Sequence, residues 1–512
     1  MSALLIFLSL LVTFIVTSFL YVQSKYSYWK RKGVPYQTPI FPFGNLKNVF
    51  LQKEQFGEGL ADIYKSTSEP FIGIYTALRP ALLIRDPKII KDMCIKNFHS
   101  FDHRILQANV EADPMADNLL LQKGEKWKRL RTQFTPAFSS GKLKGMFETI
   151  VACGKSLDKH IKSFAISGKS VEMRDVFARF ATNVIASVAF GIEVDSIENP
   201  ECEFRTYGQK IFQPSLKNTI RATTNVFIPK LSKLFGFRFV DKDIGDFMIE
   251  TVRQNLEYRE KNNVTRKDFF QLLMQLRNTG KILDDDDWST KSTSNKKELT
   301  LIELAAQAVL FFGGGFESSS STMSFCLYEL AKNPETQQKA YEEIVDVLEK
   351  HDGKLTYDSV ADMKFIESCI DESLRLHPPF PIATRNCSRN YQIPGTNVTI
   401  EEGTPIFFST IGLQYDEKYY AEPNKFKPER YSSAQSINRS FDEMPNLVFG
   451  EGPRNCIAKR LGKLQSKIAI ILLIEKFIFE LDDQHKNTEL TLDPRSIVLA
   501  PINGLNFKVS SR

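Results

Sequence analysis

Residues 449–460 read FGEGPRNCIAKR and set one cysteine, Cys456, in a loop-like run of glycine, proline and arginine just ahead of a basic stretch. A cysteine is usually a small buried hydrophobe or half of a disulfide, and neither role explains such a loop. Nor do its glycines cradle a nucleotide: Gly450 and Gly452 begin a G-x-G-x-x-G pattern that fails at Asn455. A second segment, FFGGGFESSSST, follows three glycines, Gly313 to Gly315, with an acid and a hydroxyl, Glu317 and Ser318. Each glycine costs about 1 kcal/mol relative to alanine in a helix interior. Helix stability therefore does not account for the run, and something bulky lying against the backbone does. Three further segments carry charge at helical spacing. DESLRLHPP places Glu372 and Arg375 on one helix face, and KFKPERY brings Phe426, Glu429 and Arg430, the last able to close a charge network with them. GEKWKRLRTQFTPAF sets the Trp127 indole and the Arg131 guanidinium one turn apart, suited to gripping an anionic group.

The glycine segment sits in the longest helical pattern of the chain. Thr300 and Glu303 form a capping box, and nothing breaks the pattern before Asn333 and Pro334. About 30 residues at 1.5 Å each span about 45 Å, so this helix must cross the core. Helical patterns dominate beyond Pro42, with extended pieces at PFIGIYTALRPALLIRD and NYQIPGTNVTIEEGTPIFFST. The expected fold class is mainly α with small β-sheets. No period of 20 to 50 residues recurs, which argues against a solenoid. The stretch from Leu283 to Glu298, LDDDDWSTKSTSNKKE, reads as a solvated surface loop between two helices.

No charged side chain precedes Lys25, and that opening run is long enough to span a bilayer as helix. It lacks the positive n-region and small-residue cleavage site of a signal peptide. Lys25, Lys30, Arg31 and Lys32 follow, and positive charge on that flank holds it in the cytosol. Pro35, Pro39 and Pro42 then favour an extended hinge. The expected organisation is an anchor over 1–24, a basic and proline-rich hinge over 25–45, and a catalytic domain over 46–512. Seven scattered cysteines without a C-x-x-C pair argue against a disulfide scaffold and a structural zinc site, and fit a reducing compartment. A net charge of +6 over 512 residues, with no long basic block, does not imply nucleic acid binding.

Taken in order, these segments resemble the cytochrome P-450 family of haem-thiolate monooxygenases, from the anchor to the C-terminus, with F-x-x-G-x-R-x-C the most specific motif. FGEGPRNCI, TPAFSSGKLK and FESSSSTMSFCLYELAKNPE look most like the microsomal branch that insects use for detoxification. The resemblance implies the P-450 fold with an N-terminal membrane anchor helix, and a haem-binding domain over 46–512 that holds haem b. Cys456 would be the axial thiolate on iron, with Phe449 and Arg454 packing and holding the cofactor. Trp127, Arg131 and Arg385 would bind its propionates, and Glu317 and Ser318 would flank the oxygen pocket. Glu372, Arg375 and Arg430 would lock the core around the Cys loop in a structural role. Two positions depart from the family pattern. Ala458 stands where glycine is usual, and Ser318 stands where threonine is usual, keeping the O–H but losing the methyl that fixes its rotamer.

The same resemblance implies an NADPH- and O2-dependent monooxygenase acting on a lipophilic small molecule. Electrons would come from an NADPH-cytochrome reductase, with cytochrome b5 as a further partner, at the endoplasmic reticulum membrane and with the catalytic domain facing the cytosol. Lys459, Arg460 and Lys463, with Lys126, Lys128 and Arg129, form a candidate basic docking face. The segments FHSFDHRILQANVEADP and Phe204 to Phe239 are rich in apolar residues and imply a lipophilic ligand, whether xenobiotic, lipid or hormone. Within them, TTNVFIPKLSKLFGFRF has the apolar and basic character of an interfacial segment. Two other readings remain: a haem-thiolate isomerase or dehydratase, against which the acid and hydroxyl pair argues, and a membrane-tethered lipophile carrier, which would be colourless.

Overall fold

The computed structural model describes residues 2–106, 109–212, 215–227, 229–290, 299–432, 439–486 and 488–512. They form two compact units. One comprises Met1–Ile105, Ile382–Leu413 and Glu451–Arg454, and the other comprises Leu106–Pro381, Gln414–Gly450 and Asn455–Arg512. The architecture is mainly helical with three small sheets, as the periodicities predict.

The first unit opens with helix α1 (Ser2–Tyr26). Ala3–Tyr26 has a mean hydropathy of 2.6 and none of it is buried against the protein, so it is long and apolar enough to cross a membrane. The proline-containing stretch after it is extended and stitched to strand β1 (Phe71–Thr76). Gly73 N–H donates to the Pro35 carbonyl at 2.7 Å, and Gln37 N–H donates to the Gly73 carbonyl at 3.1 Å. Gly73 has to be glycine because the Trp29 ring lies 2.5 Å from where its Cβ would stand. β1 pairs antiparallel with β2 (Arg79–Ile84). Strand β3 (Ile382–Asn386) pairs antiparallel with β4 (Pro405–Ser409), and β4 runs parallel to β2, giving the sheet order β1-β2-β4-β3. Both extended stretches named from sequence supply strands of this sheet. β3 is not among them, because IATRN lacks the apolar and polar alternation that announces a strand.

The second unit is organised around one helix. Along the chain it contains α2 (Gly124–Phe134), α3 (Ser140–Ser167), α4 (Met173–Ile185), α5 (Glu203–Phe212) and α6 (Phe269–Thr279). The central helix α7 (Leu301–Lys332) and α8 (Lys364–Leu376) follow, then α9 (Lys459–Ile474), β5 (Phe477–Leu481) and β6 (Asn506–Ser511). The capping box is formed: Glu303 N–H donates to Thr300 Oγ1 at 3.2 Å, and Thr300 N–H donates to Glu303 Oε2 at 2.9 Å. Asn333 and Pro334 end the helix, and its 32 residues span about 48 Å. From Leu304 to Ala331 most of its side chains are buried, against α4, α8 and α9 among others.

The acidic stretch before α7 is an exposed loop between two helices, as read from the sequence, with one buried anchor. Lys142 of α3, fully buried, donates its ammonium to the main-chain carbonyls of Asp284 at 2.7 Å and Asp287 at 2.8 Å, and sits 4.4 Å from the Trp288 ring centroid. Trp288 is itself buried. Burying an ammonium without acceptors is costly, so this grip ties the main chain of the loop to the core while the side chains of Asp284–Asp287 stay exposed, as a surface loop requires. Residues 291–298 lie outside the described residues.

Candidate active site

The middle of α7 shows why it carries three glycines. A Cβ on Gly315 would meet Ile185 of α4 at 2.5 Å, and one on Gly313 would touch Phe212 of α5 at 3.7 Å. Gly315 lets α4 approach the backbone, whereas a Cβ at Gly313 would make only an ordinary contact. A Cβ on Gly314 would meet nothing within 4 Å. Gly314 is exposed and Ser318, one turn later, is half-buried, midway along a helix most of whose central residues are buried, so one face of the core helix is left bare there. The Ser318 hydroxyl donates to the Gly314 carbonyl at 2.6 Å. The serines that follow use their hydroxyls within the core: Ser320 donates to the Glu317 carbonyl at 3.0 Å, Ser324 to the Ser320 carbonyl at 2.6 Å, and Ser321 to the Leu499 carbonyl at 3.1 Å.

Glu317 turns elsewhere. Its carboxylate accepts from Arg174 Nη2 at 2.5 Å, tying α7 to the first turn of α4. Arg174 escapes a sequence reading because 143 positions separate it from Glu317 and no local spacing links them.

The cysteine loop closes on itself. Cys456 N–H donates to the Phe449 carbonyl at 2.7 Å, and Gly450 N–H donates to the Leu447 carbonyl at 2.9 Å, with Gly450 at φ +73°. Cys456 is exposed. Burial pushes the thiols of Cys94, Cys326 and Cys369 up, that of Cys153 to about 12 and that of Cys387 to about 11, which leaves them poor thiolate donors. The Phe449 ring lies under the Lys459 ammonium at 5.3 Å. Arg131 of α2 is placed beside this loop, its guanidinium on Asn455, and Trp127 is buried one turn before it. α9 begins three residues after Cys456 and packs on α7 next to the bare Gly314, where Gln465 Nε2 donates to the Gly315 carbonyl at 3.3 Å and also contacts Ser319 Oγ.

In the other unit, β3 carries Arg385, 3% exposed. Its Nη2 donates to the Glu451 carbonyl at 3.0 Å, its Nη1 to the Thr384 carbonyl at 2.9 Å, and its buried Nε has no acceptor. Arg454, also buried, donates Nε to the Asp102 carbonyl at 2.6 Å and accepts from Arg104 Nη2 at its own carbonyl at 2.9 Å. Gly452, at φ +71°, has the Cys94 carbonyl oxygen 1.9 Å from any Cβ position, so no side chain fits there.

A profile of the family described as Cytochrome P450 matches residues 34–508. The chain belongs to the cytochrome P450 family. It is 40% identical to probable cytochrome P450 6d5 of Drosophila melanogaster over 98% of both chains. It is 36% identical to cytochrome P450 6d3 of Musca domestica over 99% of both, and 37% identical to cytochrome P450 6k1 of Blattella germanica over 97% of this chain and 95% of that one. These are insect proteins, of the branch that the motifs resemble. P450s are oxidoreductases of the monooxygenase class that bind haem through a cysteine thiolate iron ligand, generally take electrons from a redox partner and act on small molecules.

The residues of this P450 fit a haem. A flat macrocycle with two carboxylates needs a soft axial donor, a wall without side chains and cations for its acid groups. The second unit supplies the exposed Cys456, the bare stretch of α7 at Gly314 and the Arg131 guanidinium. In the first unit, taken by itself, Arg385 keeps a buried Nε without an acceptor. A cavity of about 740 Å³, lined by Tyr328, Glu329, His377, Tyr415 and His485 among others, contains none of these residues.

Glu372, Arg375 and Arg430 of this P450 meet as one network. Arg375 chelates Glu372 through Nε at 2.8 Å and Nη2 at 2.9 Å, and donates Nη1 to the Gln414 carbonyl at 2.8 Å. Arg430 Nε and Lys427 N–H add bonds to Glu372 Oε1 at 3.1 Å and 3.0 Å. Burial opposes the charge on Arg375, but Glu372 more than offsets it and holds the guanidinium above its ordinary pKa. The basic face is smaller than the sequence implies. Lys463 is paired with Glu367 at 2.7 Å and Asp371 at 3.0 Å, and Lys126 with Asp117 at 2.7 Å. Burial would raise the Glu367 carboxyl, but Lys463 and Lys467 hold it at about 2. Lys128, Arg129, Lys459 and Arg460 stay exposed.

Proposed function

We propose that this chain is a membrane-tethered monooxygenase that inserts one atom of O2 into a lipophilic small molecule, with electrons from NADPH delivered by a reductase. The observation that carries this reading is an exposed cysteine loop whose following helix lies along a core helix left bare at Gly314 and Ser318. Cys456 is the axial thiolate, Phe449 and Arg454 hold the cofactor in place, and Trp127, Arg131 and Arg385 bind its carboxylates. Residues 46–512 serve as the haem-binding catalytic domain behind the anchor and hinge. When bound through thiolate, haem supplies oxygen activation, the sulfur donating electron density that favours O–O cleavage, for which this family is the standard example.

Protons must reach a pocket that excludes water, and Ser318 is the hydroxyl at the open face. Its hydrogen is directed to the Gly314 carbonyl in this conformation, so relay requires the O–H to turn about Cβ–Oγ while χ1 keeps the oxygen at the open face. Serine, unlike threonine, has no second Cβ substituent to hold it in one well. The enzyme is therefore active but leaky. In a reconstituted assay of NADPH, product and hydrogen peroxide, wild type forms product only with NADPH, reductase and O2. Ser318→Thr raises product per NADPH, and Ser318→Ala lowers it several-fold while peroxide release rises. An unchanged ratio in Ser318→Ala removes the relay role, and no NADPH-dependent product with any lipophile in a broad panel removes the monooxygenase reading.

On this reading the protein sits on the endoplasmic reticulum membrane through α1, with the catalytic domain in the cytosol, which the apolar helix and the basic flank after it support. Leu231, Leu234, Phe235 and Phe239 are exposed beside Lys233, as an interfacial segment would be. Lys128, Arg129, Lys459 and Arg460 offer a docking face to the reductase and to cytochrome b5. Three of the four sequons, at Asn263, Asn397 and Asn438, the last outside the described residues, then face away from the lumen, and the fourth, at Asn386, is buried in the folded chain. Expression in microsomes yields chains without glycans, and a glycan on any of the three reverses the topology.

A further inference from the structure

Asn455 stands immediately before Cys456, and both terminal nitrogens of Arg131 end on it. Nη1 donates to its main-chain carbonyl at 2.8 Å, and Nη2 to its side-chain Oδ1 at 2.6 Å. Two acceptors on one residue fix both the position and the plane of a guanidinium. The two partners are 324 positions apart, so this is a tertiary clamp. Arg131 is part-buried and lies within the electrostatic field of Cys456.

We propose that Asn455 is a positioning residue: it holds the Arg131 charge at a set place beside the sulfur and thereby raises the reduction potential of the haem. The inference rests on Cys456 being the thiolate ligand. The physical argument is short. Reduction adds one negative charge to the haem and thiolate, and a fixed neighbouring cation stabilises that state. Groups hydrogen-bonded around a ligand tune a metal centre in this way. An amide suits the post because it offers a carbonyl acceptor without adding charge, whereas aspartate would accept equally well and cancel the cation it holds.

The test compares haem-loaded wild type with Asn455→Leu and Asn455→Asp by redox titration, with haem retention measured alongside. Asn455→Leu lowers the equilibrium constant for reduction three- to tenfold, the upper end being about 59 mV for one electron. Asn455→Asp keeps the clamp and haem retention but lowers the constant at least as far, and by less once Arg131 is replaced by leucine, a dependence that the added carboxylate alone would not produce. In an Arg131→Leu background, Asn455→Leu adds nothing. Wild-type potentials in both Asn455 variants, or an equal shift with and without Arg131, overturn the proposal. If Arg131→Leu does not hold haem, the Asp and Leu variants decide it alone. A wild-type protein without a thiolate spectrum overturns the haem-thiolate reading and this inference together. A thiolate spectrum with unmoved potentials overturns only the inference.

Discussion

Cys456→Ser abolishes the long-wavelength Soret band of the reduced, carbon monoxide-bound protein, and monooxygenase activity with it. A thiol near pKa 8.5 is deprotonated outright when it coordinates a metal, whereas a serine hydroxyl keeps its proton and offers a hard oxygen in place of a polarisable sulfur. No other cysteine among Cys94, Cys153, Cys326, Cys369 and Cys387 is placed to substitute, since burial disfavours the thiolate at each. The substitution is nearly isosteric at an exposed position, so the fold should hold, with a change in stability within about 0.5 kcal/mol in the haem-free protein. Far-UV circular dichroism and the unfolding curve of the haem-free chain check that part. A retained thiolate band in Cys456→Ser, or a histidine-like spectrum in wild type, sinks the assignment.

What could be read from the sequence was what repeats locally. The capping box at Thr300 and Glu303, the break at Asn333 and Pro334, and the three-residue spacing of Glu372 and Arg375 each lie within a few positions of one another, and each is in place. The cysteine motif is equally local. What could not be read depends on pairs far apart in the chain. Arg174 reaches Glu317, Lys142 reaches the carbonyls of Asp284 and Asp287, and Lys463 is taken up by Glu367 and Asp371. A lysine or arginine on a helix face looks solvated until its tertiary partner is known. For the same reason the anchor of the surface loop at Asp284–Trp288 is invisible in the sequence: its carboxylates are exposed as read, and its main chain carries the contact with Lys142.

The second large effect is expected at Arg375. On sequence alone, a Glu and Arg three apart on a helix would be a surface pair contributing little, yet both side chains are fully buried. Removing one partner of a buried pair leaves an uncompensated charge and costs about 3 to 5 kcal/mol. Arg375→Met strands the Glu372 carboxylate, with Arg430 and the Lys427 N–H as remaining donors, and also leaves the Gln414 carbonyl without its donor. Glu372→Leu strands the Arg375 guanidinium. Replacing both partners recovers part of the loss, because an apolar pair needs no counter-charge. The recovery stays incomplete, since Arg430 and the carbonyls of Gln414 and Lys425 still lose partners. Arg375→Lys fares little better than methionine at this chelating site, for an ammonium cannot reproduce the two parallel bonds to Glu372. The measurement is the yield of haem-loaded protein together with its thermal midpoint, since unfolding and haem loss are linked and one unfolding free energy is not defined. A wild-type midpoint in Arg375→Met would mean that the network is dispensable and that the loop carrying Cys456 is held by other contacts.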